Sequence, residues 1–156
     1  MNSGLVHYFG ALTFPMNIVV LSRDTKLYST KRLVEACEIR GHNVRVINHI
    51  KCDIFIEKKN PQIIYGGESI TDVDAVIPRI GASVTFYGTA VVRQFEMMKV
   101  FTTIESQALV RSRDKLRSMQ ILTRSGVGIP KTVFTNYSKD VGSVVDSVGG
   151  APGIIK

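Results

Sequence analysis

Several features that define common protein classes are scarce or absent in this sequence. It has no tryptophan and only two cysteines, Cys37 and Cys52, which do not form a C-x-x-C pair. This spacing gives no disulfide framework and argues against a structural zinc site. The three histidines have no cysteine or carboxylate partners at metal-ligand spacing. Such cysteine usage is typical of the reducing cytosol, so we expect a cytoplasmic protein.

Targeting and membrane signals are also missing. Residues 1–15, MNSGLVHYFGALTFP, contain no lysine or arginine, and their apolar run is short and broken. They therefore lack the basic start of a signal peptide and are too short to cross a bilayer. We predict that residues 1–15 form a disordered or loosely docked extension, that Met16 is the natural start, and that the protein has no membrane contact.

What remains is an ordinary globular composition arranged as alternating strands and helices. The chain has 156 residues, 44% hydrophobic and 21% charged, which suits one domain or one domain plus part of another. Strands are predicted over residues 17–22, 43–48, 53–57, 62–65, 75–78 and 100–103, and helices over 29–40 and 83–98. Ser29 is the predicted N-cap of the first helix, and Gly66-Gly67 the predicted hairpin turn. This alternation predicts a parallel α/β sheet, but no G-x-G-x-x-G dinucleotide fingerprint is present.

Residues 104–132 predict two helices in tandem. Asp114 is a suitable N-cap for the second helix, and Gly126 is placed to end it. Its apolar face, predicted to face the core, comprises Leu116, Met119 and Leu122. Lys115 falls at the edge of that face in the first helical turn, where the helix dipole disfavours a cation. Either an anion binds at this helix start, or the lysine extends along its stem to water.

The remaining residues predict a further α/β segment. We expect a strand over 131–135, a helix over 137–148, and a turn over 149–156 that runs into a strand, GIIK. The most natural domain boundary lies between Thr103 and Lys115.

Positive charge is concentrated in the tandem helices. Residues 104–132 contain six basic and two acidic side chains, a net +4 of the chain's formal +7. Such a field suits an anionic small molecule, an acidic peptide or nucleic acid, although a solvated helix face has the same composition. Because aromatic residues do not interleave with the basic ones and no RNA- or DNA-binding motif is present, we expect no direct nucleic-acid binding.

Seven motifs, in order, resemble the RimK family of ATP-grasp ligases. They are LSRD at 21–24, LYSTKRLVEA at 27–36, RGH at 40–42, DAVIPRIG at 74–81, TFYGTAVVRQFEMM at 85–98, RDKLRSMQ at 113–120 and GGAPGIIK at 149–156. The resemblance covers residues 16–156. It implies an α/β fold with a Rossmann-like pre-ATP-grasp domain over 16–103, followed over 104–156 by linker helices and the first part of an ATP-grasp domain. Lysine-biosynthesis and cofactor-glutamylating ligases of the same family are the nearest alternatives.

The resemblance also implies an activity. RimK-type proteins add glutamate to the carboxyl end of a small-subunit ribosomal protein, through an acyl-phosphate. The implied cofactors are ATP and Mg²⁺ or Mn²⁺, and the implied partners are glutamate and a small-subunit ribosomal protein with an acidic C-terminus. The oligomeric state stays open, with a homo-oligomer among the alternatives.

Three residues are assigned to a site by this resemblance or by position. Lys115, in RDK, and Lys156, at the end of GGAPGIIK, resemble the two ATP-binding lysines of the family. Arg79 follows a predicted strand and is a candidate for binding a substrate carboxylate, with a purely structural arginine as the alternative.

No catalytic residue and no metal ligand is assigned within this chain. The family's metal ligands and glycine-rich loop are expected beyond Lys156. We therefore expect no ligase activity and only weak nucleotide binding from the chain alone. The competing hypothesis is a stand-alone Rossmann-like module that binds an anionic ligand or a protein partner.

Overall fold

The computed structural model describes residues 14–137 and 139–153. The chain divides into two units, the first ending at Val110 and the second beginning at Arg111. The elements of the first unit are β1 (Asn17–Leu21), α1 (Tyr28–Glu38), β2 (Asn43–Ile47), β3 (Cys52–Phe55), β4 (Gln62–Tyr65), β5 (Glu68–Ser69), β6 (Ala75–Pro78), α2 (Thr85–Met97), β7 (Phe101–Thr102) and the start of α3 (Ser106–Arg113).

A parallel sheet organises the first unit. Among the described residues it has four strands in the order β2-β1-β6-β7, each parallel to its neighbour. From β1 the chain moves across the sheet toward one edge, at β2, and from β6 it moves toward the opposite edge, at β7. Because parallel crossovers are right-handed, α1 and α2 cover opposite faces of the sheet.

Side chains of alternate strand residues fill the two faces. On the α2 side, Val19, Leu21 and Val76 pack in one cluster with Phe95. On the α1 side, Ile18 and Ala75 pack with Cys37. A parallel sheet covered on both faces needs near-continuous apolar strands, and the run NIVVL in β1 meets that need.

A second, antiparallel sheet joins β3, β4 and β5. The turn between β4 and β5 has positive φ at Gly66 (63°) and Gly67 (87°), as the predicted hairpin requires. The side chain of Gln94, on α2, donates to the carbonyl oxygens of Phe55 and Gln62 at 2.8 and 3.1 Å. The small sheet is therefore tied to the helix that covers the large one.

The predicted N-cap of the first helix is wrong. The helix begins at Tyr28, and Leu27 occupies the N-cap position without a side-chain hydrogen bond. Ser29 instead lies inside the first turn, and its hydroxyl oxygen accepts a hydrogen bond from Arg79. The Ser29 oxygen that was expected to cap the helix therefore forms a tertiary hydrogen bond instead.

The second unit contains the end of α3, α4 (Lys115–Arg124) and α5 (Val141–Ser147). Two predictions are confirmed here: Asp114 Oδ1 accepts from the Arg117 amide at 2.9 Å, and Gly126 has a φ of 74°. The predicted core face of α4 is wrong, because Leu116 and Leu122 are each 42% exposed. Met119, the third residue of that face, is half-buried, so amphipathic spacing alone did not place this face in a core.

Two further predictions in the second unit are wrong. Residues 131–135 form no strand, since no described segment pairs with their backbone. The helix predicted over 137–148 begins later, at Val141, after Asp140 accepts from the Ser143 amide and caps it. The strand predicted at the end of 149–156 lies largely outside the described residues, as do residues 1–13.

Candidate functional site

The carboxyl ends of β1 and β6 form the best-placed site in the first unit. The strand order reverses between these two neighbours, and parallel α/β sheets bind ligands where such a reversal leaves a crevice outside the strand ends. We call the loops over residues 22–24, after β1, and 79–81, after β6, the switch crevice.

Arg79 projects from this crevice toward α1. Its backbone amide donates to the carbonyl oxygen of Leu21 at 2.8 Å, which fixes the residue against the end of β1. Its Nη2 donates to Ser29 Oγ at 2.5 Å. The first-turn amides of α1 have no side-chain cap, so a guanidinium and the positive end of a helix lie together and favour an anion.

Arg23 is a second cation at the same edge, which the sequence did not single out as a site residue. Its loop is anchored by the buried pair Ser22 Oγ and Thr30 Oγ1, 2.9 Å apart, and Asn48 Nδ2 donates to the Arg23 carbonyl at 3.5 Å. A Cβ atom on Gly81 would lie only 3.3 Å from Arg23 Nη2. The glycine after β6 therefore allows the guanidinium to approach the backbone closely.

Neither arginine is neutralised by a neighbouring carboxylate. In the described part of the chain, the ion pair that forms is between Arg32 and Glu35, on the surface of α1. The one carboxylate of the crevice, Asp24, accepts from the Lys26 amide and forms no ion pair with either arginine. Two exposed guanidinium groups against one carboxylate leave a net positive field at this sheet edge. Such an arrangement suits a carboxylate or another small anion.

His49 lies at the end of β2 and was considered at the sequence level only as a metal ligand. It is 0% exposed, and neither ring nitrogen has a hydrogen-bond partner among the described residues. Burial, and then the charge of Arg23, lower the pKa of the imidazole, which is neutral at pH 7. The signal in the sequence that could have indicated this position is that His49 comes two residues after the end of a parallel strand, at the carboxyl edge of the sheet.

The two predicted nucleotide lysines are placed differently. Lys115 is the first residue of α4 and is exposed. Lys156 lies outside the described residues. Lys115 belongs to the second unit, whereas Arg79 shares the switch crevice with Arg23 in the first.

The described residues supply only part of what ATP and a divalent cation need. Lys115, at a helix N-terminus, is a group that would bind a phosphate. Residues 14–137 and 139–153 contain no cluster of three His, Cys, Asp or Glu side chains able to hold a metal ion. Both cysteines are buried, and burial, with Asp53, raises the pKa of Cys52 to about 11, so neither is a thiolate nucleophile at neutral pH.

None of the helices within the described residues has the length and apolar character needed to cross a bilayer.

The doubly wound parallel sheet, with a helix on each face, defines a Rossmann-like α/β domain. The model of one family, the RimK PreATP-grasp domain, matches residues 16–109, more than half of the chain. The chain belongs to this family. The resemblance drawn from the motifs and the predicted α/β pre-ATP-grasp fold are thereby confirmed.

Curated relatives extend the match beyond the family model. Proteins named probable alpha-L-glutamate ligase from Vibrio cholerae, Aliivibrio fischeri and Hydrogenovibrio crunogenus are 60%, 58% and 57% identical over 141 residues. The matched region is 90% of this chain and 47% of each relative. The chain therefore spans about half the length of the curated relatives it matches.

A solved structure supports the fold independently. The macrocyclase MdnB from Microcystis aeruginosa MRC superposes with a TM-score of 0.57 at 19% identity, covering 78% of this chain and 54% of that one. At this identity the likeness concerns the fold alone.

Proposed function

We propose that this chain is the N-terminal portion of an ATP-dependent ligase that joins glutamate to the C-terminal carboxylate of a small-subunit ribosomal protein. The observation that supports the glutamate ligase is the 57–60% identity, over 90% of the chain, to proteins named probable alpha-L-glutamate ligase. The ribosomal acceptor is the finer part of the proposal and follows from the RimK resemblance.

The proposed reaction has two steps. The acceptor carboxylate attacks the γ-phosphorus of ATP, which gives an acyl-phosphate and ADP. The amine of glutamate then attacks the acyl carbon, loses a proton and displaces phosphate, so that an amide bond forms. Negative charge grows on the transferring phosphoryl group, and fixed cations stabilise it without reorganising. We assign that role to Lys115 and Lys156.

Arg79 has a different role in this proposal, which is to bind a substrate carboxylate in the switch crevice. Its guanidinium is exposed, without a carboxylate partner in the described chain, and is held beside the uncapped start of α1. Mg²⁺ or Mn²⁺ would neutralise the phosphates, with ligands from outside the described residues. The two free, buried cysteines agree with a proposed location in the cytosol.

A chimaera tests the proposal with a complete enzyme. The 141 matched residues of this chain replace their counterparts in the Vibrio cholerae relative, and the product is assayed with ATP, Mg²⁺, glutamate and an acidic C-terminal ribosomal peptide. We expect phosphate release that requires both glutamate and peptide, and peptide masses that rise by whole glutamate residues. Phosphate release at the same rate with and without glutamate would contradict the proposal.

Variants separate the proposed roles. In the chimaera, Arg79→Gln should raise the KM for a carboxylate substrate about tenfold, as loss of one charge-assisted hydrogen bond predicts. Lys115→Met should weaken the binding of ATP instead. Arg40→Gln, a change at an exposed arginine just beyond the C-terminal end of α1, should alter neither KM.

The 156-residue chain by itself should show no ligation and weak ATP binding. The alternative function, a stand-alone anion-binding module, is favoured by the same unpaired arginines. It predicts that the chain binds glutamate or an acidic peptide equally well with and without ATP, while the chimaera is inactive.

A further inference from the structure

A fully buried histidine without hydrogen bonds lies beside the switch crevice. His49 has both a donor and an acceptor nitrogen when neutral, and neither finds a partner among the described residues. Buried polar groups in folded proteins are almost always satisfied, and an exception calls for a water, an ion or a ligand that completes it.

Its neighbours place the imidazole on the α2 side of the crevice. A Cβ atom on Gly88 would lie 3.3 Å from His49 Cδ2 and 2.4 Å from Ile80 Cγ2, so the ring and Ile80 meet at this glycine of α2. Ile80 is followed by Gly81, which lies against the Arg23 guanidinium. Burial first, and the positive charge of Arg23 second, lower the pKa of His49, which agrees with Arg23 lying near the ring. Arg79, which contacts α1, lies on the other side of the sheet.

We propose that Arg23 and His49 together form a carboxylate subsite on the α2 side of the switch crevice. The guanidinium pairs with the carboxylate, and the ring N–H of His49 donates a hydrogen bond to it. Because the His49 ring is 0% exposed, this subsite requires that side chains over the ring move when the anion binds, and Arg23 is the exposed member of the pair. This inference rests on the proposed function for its choice of a carboxylate.

The chemistry fits a carboxylate well. A neutral imidazole offers one N–H donor, and a guanidinium offers a planar set of donors that matches two carboxylate oxygens. The single positive charge of Arg23 balances a single negative one. Free glutamate and the C-terminal carboxylate of an acidic peptide both supply this group, and the experiment distinguishes them.

Nitrogen NMR of the histidine rings tests the subsite without any mutation. The 156-residue chain, labelled at its three histidines, is titrated with L-glutamate or with an acidic C-terminal peptide to about 10 mM, which detects a millimolar affinity. We expect the His49 ring nitrogens to shift while those of His42, whose Nδ1 accepts from the Met16 amide, stay unchanged. Shifts with the peptide alone would identify the acceptor as the carboxylate source. No shift with either probe would overturn the subsite.

Variants add a measurement that a structural role would not affect. Arg23→Gln and His49→Phe should each weaken the binding of the probe that shifts the His49 nitrogens. The expected loss of affinity is about tenfold, as the loss of a charge-assisted hydrogen bond predicts. His49→Phe should leave the unfolding midpoint unchanged or raised, because it removes an unsatisfied buried polar group. Arg40→Gln should change affinity less than twofold. Unchanged affinity in a folded His49→Phe protein would show that the ring is only structural, and the proposal would fail.

The outcomes remain separable from the test of ligase activity. If the chimaera is inactive but the His49 nitrogens still shift, and the shifts disappear in Arg23→Gln, the proposed function is wrong and the subsite stands. An active chimaera whose substrate KM values are unaffected by His49→Phe would retain the function and remove the subsite.

Discussion

The two units of this chain differ in how far their apolar residues are buried. In the first unit, strands and helices enclose side chains such as Phe95, Val91 and Val92, each 0% exposed. In the second, neither α4 nor α5 has a buried residue among those described. Both units have amphipathic helices, so the difference lies in packing. An amphipathic face contributes stability only when another surface covers it.

The largest expected contrast comes from matched phenylalanine truncations. Phe95→Ala should lower the free energy of unfolding of the first unit by about 3–5 kcal/mol, because it removes a fully buried ring and leaves a cavity. Phe134→Ala, at a side chain that is 52% exposed, should change stability by about 0.5 kcal/mol or less. Urea unfolding followed by circular dichroism measures both. Similar costs for the two variants would show that the second unit has a core of its own.

A smaller contrast is expected between two glycines. Gly88→Ala would place a methyl group 2.4 Å from Ile80 Cγ2, between α2 and the sheet, and should destabilise the first unit by about 1–3 kcal/mol. Gly128→Ala meets nothing within 4 Å and should be neutral or stabilise by about 0.4–1 kcal/mol. Thermal unfolding of the two variants provides the comparison. Tolerance of alanine at position 88 would mean that α2 packs more loosely than the structure shows.

The third prediction concerns a local element of the second unit. Asp114→Ala removes the acceptor for the Arg117 amide and should reduce the stability of α4 by about 1 kcal/mol. Faster amide hydrogen exchange in α4, with unchanged exchange in β1 and β6, is the expected result. Asp114→Asn is the control, since asparagine caps equally well. Equal losses in both variants would assign the effect to charge instead of capping.

The smallest effect is a dependence of α5 on pH. Hydrogen bonds from the Ser143 amide and then the Ser143 side chain lower the pKa of Asp140 below its ordinary 3.8. The carboxylate therefore stabilises the helix fully above that value, and this contribution is lost as pH falls through the lower folded pKa. NMR of α5 between about pH 5 and 2 should show fraying at the acid end. Asp140→Asn should remove the dependence, and a variant that frays as the parent does would exclude this cap as its cause.

Local signals in the sequence located most of the first unit. The apolar run of β1 and the sequence AVIP of β6 predicted strands that the structure contains, with β6 placed at the predicted residues 75–78. The paired glycines predicted the β4–β5 turn because a tight hairpin turn needs positive φ angles, which glycine adopts without a steric clash. Asp114 and Gly126 were predictable as the ends of α4 because capping acts within a single turn.

The failures came where a residue's role depends on distant neighbours. Ser29 has the chemistry of a cap, yet Arg79, fifty positions away, uses its oxygen. Residues 131–135 have a strand-like composition, but a strand needs a partner, and no described segment provides one. Part of the switch crevice was predictable, since Arg79 follows a strand. Arg23 and His49 were not recognised as its neighbours, because the sheet order that brings them together is not a local property.

The sequence alone determined the family, the α/β alternation and the ends of several elements, since all of these depend on short stretches and on the order of motifs along the chain. Tertiary structure decided which amphipathic faces are buried and which charged groups share a crevice. The physical reason is that burial and charge proximity are set by strand order and crossover direction, which bring together residues far apart in the chain. His49 shows this most clearly: nothing in the local sequence marks it as buried, yet in the fold its ring is buried against α2 at Gly88, without a hydrogen bond on either nitrogen.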